Sequence, residues 1–165
     1  MGTGGDGACL LLLLGVGDQL FALETANVVE VIPRVLLRPV SGSPPHRPGV
    51  FNFRGRVVPV VDVSQLIAGH PCAEHLSSRI IMVRHRSGGS GERDGLVGLL
   101  AERVTDTVLK SLNSFQPADG AAQLAPFLGG VALDERGLIQ LLHADTLAQV
   151  GLAQTSEEPE TDDRG

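Results

Sequence analysis

The sequence has no tryptophan and no tyrosine, and its only aromatics are five phenylalanines. Few flat rings are therefore available for stacking unpaired bases. The formal net charge of −6, from 13 Lys and Arg against 19 Asp and Glu, also opposes a broad phosphate-tracking surface. No nucleic-acid partner is expected. Lysine occurs once, at Lys110, and no glycine-rich stretch has the spacing of a phosphate-cradling P-loop. Cys9 and Cys72 stand far apart with no framework of spacings, which suggests free thiols in a reducing compartment, the cytoplasm. Long hydrophobic runs are missing too. "ACLLLLLGV" is nine residues, too short to span a bilayer, and it follows Asp6 with no Lys or Arg before it, so it is neither a signal peptide nor a membrane insertion.

Catalytic patterns are equally sparse. No G-x-S-x-G elbow presents a nucleophile, and the pairs Asp106 with Glu102 and Asp134 with Glu135 suggest solvated strand ends. "HPCAEH" sets His70, Cys72 and His75 within six residues, all of them metal-ligand types. No H-x-E precedes them and no second ligand pair follows at a zinc spacing, so the segment is expected to be a surface linker. No catalytic residue, metal or cofactor is expected.

What is abundant is glycine, 21 of 165 residues, punctuating short runs of Val, Leu and Ile. That pattern predicts many short strands joined by turns. The expected strands are Cys9 to Val16, Gln19 to Leu23, Val28 to Ile32, Val35 to Val40, Gly49 to Phe53 and Arg56 to Val61, then Arg79 to His85, Leu96 to Ala101, Val104 to Leu109, Gly130 to Leu133 and Leu138 to Leu142. Two brief helices are expected. "DVSQLIAG" has Asp62 as N-cap, Gln65 three residues on and Gly69 as its stop, and "DTLAQVG" repeats the plan with Asp145 and Gly151. Residues 1–8 and the acidic end of the chain, 152–165, are expected to be disordered; Thr155 to Gly165 holds five acids and no apolar period.

The pattern repeats. "GVFNFRGRVVPVVDVSQL" lies without a gap over "GVALDERGLIQLLHADTL", so that Gly49 meets Gly130 and Leu66 meets Leu147, an offset of 81. "FALETANVVEVI" lies over "VGLLAERVTDTV" at an offset of 76. Two similar units in tandem follow. The expected fold is all-β: two five-stranded SH3-like β-barrels around a shared core, with short helices, the first barrel over 9–69 and the second over 79–151.

In that order, "FALETANVVEVI", "PGVFNFRGRVVPVVDVSQLIAG", "SRIIMVRH", "GLVGLLAERVTDTV" and "GGVALDERGLIQLLHADTLA" resemble the CheW-like domain over residues 9–151. The resemblance implies two barrels and a scaffold rather than an enzyme. It implies a cytoplasmic protein recruited to membrane receptor arrays, which couples the cytoplasmic tip of a chemoreceptor to the regulatory domain of a CheA-type histidine kinase. Its Asn-x-Arg-Gly hairpin is here Asn52 to Gly55, and the resemblance implies that Arg54 faces the receptor and pairs with Glu30. The receptor-binding patch is expected at Val28, Glu30, Gly49, Asn52 and Arg54, and the kinase-binding patch at an apolar edge of Leu96, Val97, Leu99 and Val104. Phe53 stands where Leu is usual, Pro48 stiffens the hairpin's entry, His143 replaces a common Asp so that Asp145 is expected to cap, and "HRSGGSGERDG" is a longer turn than usual. Pro59 lacks the N–H of a ladder bond, so its strand is expected to be an edge or bulged there. Two other readings are a coupling protein of a non-motility pathway and a barrel binding a small ligand in the cleft between its halves.

Overall fold

The computed structural model describes residues 7–86, 94–118 and 125–153; the segment before Gly7, residues 87–93 of the long turn, and the acidic tail from 154 lie outside them. Ten strands and two short helices follow in the order β1 (Ala8–Val16), β2 (Gln19–Glu24), β3 (Val28–Pro33), β4 (Gly49–Phe53), β5 (Arg56–Asp62), α1 (Val63–Ala68), β6 (Arg79–Arg86), β7 (Asp94–Ala101), β8 (Thr107–Ser111), β9 (Leu128–Asp134), β10 (Gly137–Leu142) and α2 (Ala144–Leu152).

The leucine run of β1 shows why so many of these strands are apolar on both faces. Leu11 and Leu13 pack with Ala22, Ile139 and Leu141 inside one sheet, whereas Leu12 and Leu14 point the other way, into a larger cluster with Phe21, Ile81, Val97 and Leu147. A strand buried on both faces has no polar alternation to show. β6 is divided in the same way, with Ile80 and Met82 in the interior of the second sheet and Ile81 and Val83 in the shared cluster. Among the described residues, the space between the sheets is occupied by the side chains of this shared cluster.

Strand order is β8-β1-β2-β10-β9 in one sheet and β3-β6-β7-β5-β4 in the other. Matching β1 to β6, β2 to β7 and so on to β5 and β10 converts one order into the other. The parallel pairs β2 with β10 and β7 with β5 are also equivalent. The internal repeat is therefore structural. The sheets, however, are not divided at residues 70–78 as the expected boundary between 9–69 and 79–151 would require. Each combines strands one and two of one repeat with strands three to five of the other: β6 and β7 join β3 to β5 in one sheet, and β1 and β2 join β8 to β10 in the other.

Two glycines occupy the same tight place in each repeat. A Cβ on Gly49 would collide with the Arg38 carbonyl oxygen, and one on Gly130 would lie 2.6 Å from that of Gln116. In both repeats an isolated bridge, Arg38 with Val50 and Gln116 with Val131, lies against the strand that the glycine begins.

Several local expectations change. Val35 to Val40, which follows Pro33 and contains Pro39, makes only that single bridge at Arg38 rather than a strand. β8 begins at Thr107, not Val104. β5 is an interior strand, paired with β4 and, from Val60 onward, with β7. Pro59 stands one residue before the β7 ladder begins, and its β4 partner Val50 bonds outward to Arg38, so the missing N–H costs no ladder bond. Asp62 does cap α1, accepting from the Gln65 N–H at 3.1 Å, and Gly69 ends it at φ 77°. At α2 the N-cap is His143, with no side-chain cap bond, and Asp145 lies in the first turn. Gly151 does not stop α2, which runs on to Leu152; it lets the helix approach Val61, which a Cβ would meet at 2.6 Å.

Candidate docking site

The β4–β5 hairpin closes with a two-residue turn in which both central residues have positive φ, Arg54 at 51° and Gly55 at 83°, flanked by the pair Phe53 and Arg56. That geometry matches the right-handed twist of the strands. Glycine adopts it freely, whereas an arginine there carries a cost of about 1–2 kcal/mol. Three contacts hold it. The Asn52 Oδ1 accepts the Gly55 N–H at 2.8 Å, the Arg54 Nη2 donates to Glu30 Oε2 at 3.0 Å, and the guanidinium lies over the Phe53 ring at 4.8 Å from its centroid. Glu30 comes from β3, where a register irregularity between Val28 and Glu30 breaks the ladder to β6. Since β3 and β4 are the two outer strands of their sheet, the ion pair spans its open seam.

Of the residues expected at this surface, Glu30, Asn52 and Arg54 come together and are accessible. Val28 packs against the shared core, and Gly49, at the far end of β4, is buried against Arg38. The other expected patch is overturned. Val97 is 1% exposed, Leu99 0% and Val104 8%, all in the shared core, and Leu96 packs on the interior of its own sheet. β7 is flanked by β6 and β5, so it is no edge, and the apolar character of "GLVGLLA" comes from burial on two faces.

The second seam has its own latch, which sequence reading missed. Lys110 on β8 donates to the Leu133 carbonyl oxygen of β9 at 2.9 Å and lies 3.5 Å from Asp134, which also takes the Arg136 Nη1 at 2.9 Å. Burial alone would raise the Asp134 carboxyl's pKa, but the hydrogen bonds from Arg136 and the charges of Lys110 and Arg136 hold it below the usual carboxylate range. The available signal was a lone lysine and an Asp two residues before an Arg.

The segment between α1 and β6 leaves His70 and His75 exposed, as expected of a surface linker, but is anchored inward at Cys72 and Ser78. Cys72 is buried; its N–H donates to Asp62 Oδ2 at 2.9 Å, the Ala73 N–H donates to Glu102 Oε1 at 2.8 Å, and the Ser78 hydroxyl donates to the Ala73 carbonyl at 2.6 Å. Glu102, expected at a solvated strand end, is itself buried and also accepts from the Ser64 hydroxyl at 3.4 Å. Burial, then the Asp62 and Glu102 carboxylates, push the Cys72 thiol up to about 11, which leaves it without thiolate character at neutral pH. Among the described residues no three His, Cys, Asp or Glu side chains are grouped to hold a metal. No described helix is long and apolar enough to cross a membrane.

Two interlocked five-stranded sheets on one core, with an arginine displayed at a hairpin, define a small β-rich domain. The model of the CheW-like domain matches residues 10–151, and the chain belongs to that family. It is 30% identical over 144 residues to a chemotaxis protein CheW of Rhizobium meliloti, covering 86% of this chain and 88% of that protein. To a chemotaxis protein CheW of Thermotoga maritima it is 25% identical, covering 84% and 87%. The crystal structure of a scaffolding protein, TtCheW from Thermoanaerobacter tengcongensis, superposes with a TM-score of 0.72 at 22% identity, over 84% of this chain and 86% of that one, a likeness of fold.

Proposed function

We propose that this chain links a chemoreceptor to a CheA-type histidine kinase through separate surfaces of its two sheets. Its coarser role, a non-enzymatic coupling adaptor in chemotaxis signalling, follows from its family and from relatives named for that process. The observation that carries the finer reading is Arg54: 72% exposed, held in a left-handed turn and anchored at one corner, it is prepared for a partner rather than for the core. Glu30 and Asn52 complete the receptor patch. For the kinase, exposed leucines of the other sheet supply what Val97 and Leu99 do not. Leu133 is directly paired with Leu138, and Lys110 ties the strand of Leu109 to the Leu133 carbonyl, so three exposed leucines surround that seam. Apolar exposure of this kind marks contact surfaces. A scaffold transmits a signal when it binds one arrangement of its partners better than another.

Separate binding assays test the division, with a receptor-tip fragment in one and the kinase regulatory domain in the other. Arg54→Glu is expected to abolish receptor binding and spare the kinase, and Leu133→Glu the reverse. Equal loss for both partners on folded protein would replace the two surfaces with one shared groove.

A further inference from the structure

We propose that Phe53 is a positioning residue: its ring fixes the plane of the Arg54 guanidinium so that the edge not held by Glu30 is presented to a carboxylate on the receptor. This rests on the reading of Arg54 as a receptor contact. An exposed arginine held by one ion pair can still pivot about that corner. The single bond from Nη2 to Glu30 Oε2 fixes a point, while the ring, whose centroid lies 4.8 Å from Cζ, is a second contact that opposes turning about that point. The ring is itself held. Phe51 meets it edge-on at 6.3 Å and 68°, and both pack on the interior cluster of the β3–β7 sheet. The backbone beneath Arg54 is fixed by the Asn52 side chain on the Gly55 N–H. A guanidinium fixed in plane offers its remaining N–H groups as a rigid fork, and the group that matches a fork is a carboxylate. Stacking and packing can be separated here, because leucine keeps much of the buried volume but has no flat face.

The test is Phe53→Leu, with Phe53→Met in reserve should it not fold, and Phe53→Tyr as the rescue. Two readouts are taken: the order parameter and ring-current shift of the Arg54 Nε–H by nuclear magnetic resonance, and affinity for a receptor cytoplasmic-tip fragment. The leucine variant is expected to loosen Arg54, to lose the ring-current shift and to weaken receptor binding roughly two- to fivefold, the size of an exposed cation–π contact. Kinase binding should be unaffected, and tyrosine should restore both readouts. An Arg54 Nε–H as ordered and shifted in Phe53→Leu as in the parent overturns the proposal. So does a loosened Arg54 with unchanged receptor affinity in a protein where Arg54→Ala does weaken it. If Arg54→Ala itself leaves receptor affinity intact, the receptor reading falls and takes the carboxylate contact with it, while the order parameter still decides whether the ring holds the side chain.

Discussion

The two sheets share a strand order but differ in the balance of charge they carry. The β3–β7 sheet and its loops carry Arg34, Arg38, Arg47, Arg54, Arg56, Arg79, Arg84 and Arg86, against Glu30, Asp62, Glu74 and Asp94. The other sheet and its connections hold Asp18, Glu24, Glu102, Asp106, Asp134, Glu135 and Asp145, against Arg103, Lys110 and Arg136. Each seam is latched by a pair of opposite charges, yet Arg54 is 72% exposed and the Asp134 side chain only 9%. One strand order is used twice, and the hairpin chemistry differs between the two: Asn52-Phe53-Arg54-Gly55 in one repeat, Leu133-Asp134-Glu135-Arg136 in the other. An exposed latch contributes little to the fold and is free for recognition, whereas a buried one contributes to the fold and is not.

The sharpest way to break the comparison lies in the core that both sheets share. Val97→Glu or Leu99→Glu would place an unpaired carboxylate among apolar side chains, at a cost on the order of 4 kcal/mol or more, enough to unfold a marginally stable domain. The expected outcome is loss of the cooperative thermal transition and of binding to both partners. A folded Leu99→Glu protein that had lost the kinase alone would restore β7 as a docking edge.

Gly49→Ala and Gly130→Ala measure whether the repeats are equivalent in energy as well as in topology. Each methyl meets a backbone carbonyl that belongs to an isolated bridge, so each variant is expected to lose about 1–3 kcal/mol by denaturant titration. A large cost for one and none for the other would confine the equivalence to strand order.

Legibility in the sequence followed the same division. The repeat was visible because Gly49 and Gly130 open the two segments and the same apolar pairs follow, Val57-Val58 and Val60-Val61 against Leu138-Ile139 and Leu141-Leu142, a pattern carried within each segment. Strand exchange between the repeats was not, since nothing in β1 or β2 records whether the neighbour is β10 or β5; that is decided by long-range pairing. Burial on both faces hid in the same way. "GLVGLLA" looks like an adhesive edge when only composition is seen, and becomes core once strands lie on either side. At the hairpin, the Asn52, Arg54 and Gly55 signature is local and was readable; the Glu30 to Arg54 and Lys110 to Asp134 contacts each join residues 24 apart, and the first was expected only through the family resemblance.

Asp134 sharpens the contrast between the latches. Its folded pKa lies below the ordinary aspartate value of about 3.9, so its ionised form stabilises the fold at pH values above that, and the contribution is lost as the pH falls through the lower folded value. Asp134→Asn is expected to cost about 1–3 kcal/mol at pH 7, leaving Lys110 and Arg136 short of a charged partner, and the difference from the parent should shrink below pH 4. Glu30→Gln, in the exposed pair, should cost well under that. Melting curves from pH 3 to pH 7 would show it, and a pH-independent difference at Asp134 would mean that shape rather than charge closes that seam.

The smallest expected effect on stability belongs to Arg54, and it is the most informative. Removing the side chain breaks an exposed ion pair worth about 0.2–1 kcal/mol and a ring contact of similar size. It leaves the left-handed backbone strain at residue 54, since alanine is no better suited to φ 51° than arginine. Arg54→Ala should therefore melt within a few degrees of the parent, and Arg54→Gly, which relieves the strain, at or slightly above it. Receptor binding should fail in both. A double swap, Glu30→Arg with Arg54→Glu, restores an ion pair across the seam but moves the arginine to β3. Recovery of stability without recovery of receptor binding would show that the partner reads the arginine at the hairpin, not the pair. Recovery of both would mean that any salt bridge across this seam suffices, and the two latches would then differ in exposure alone and not in purpose.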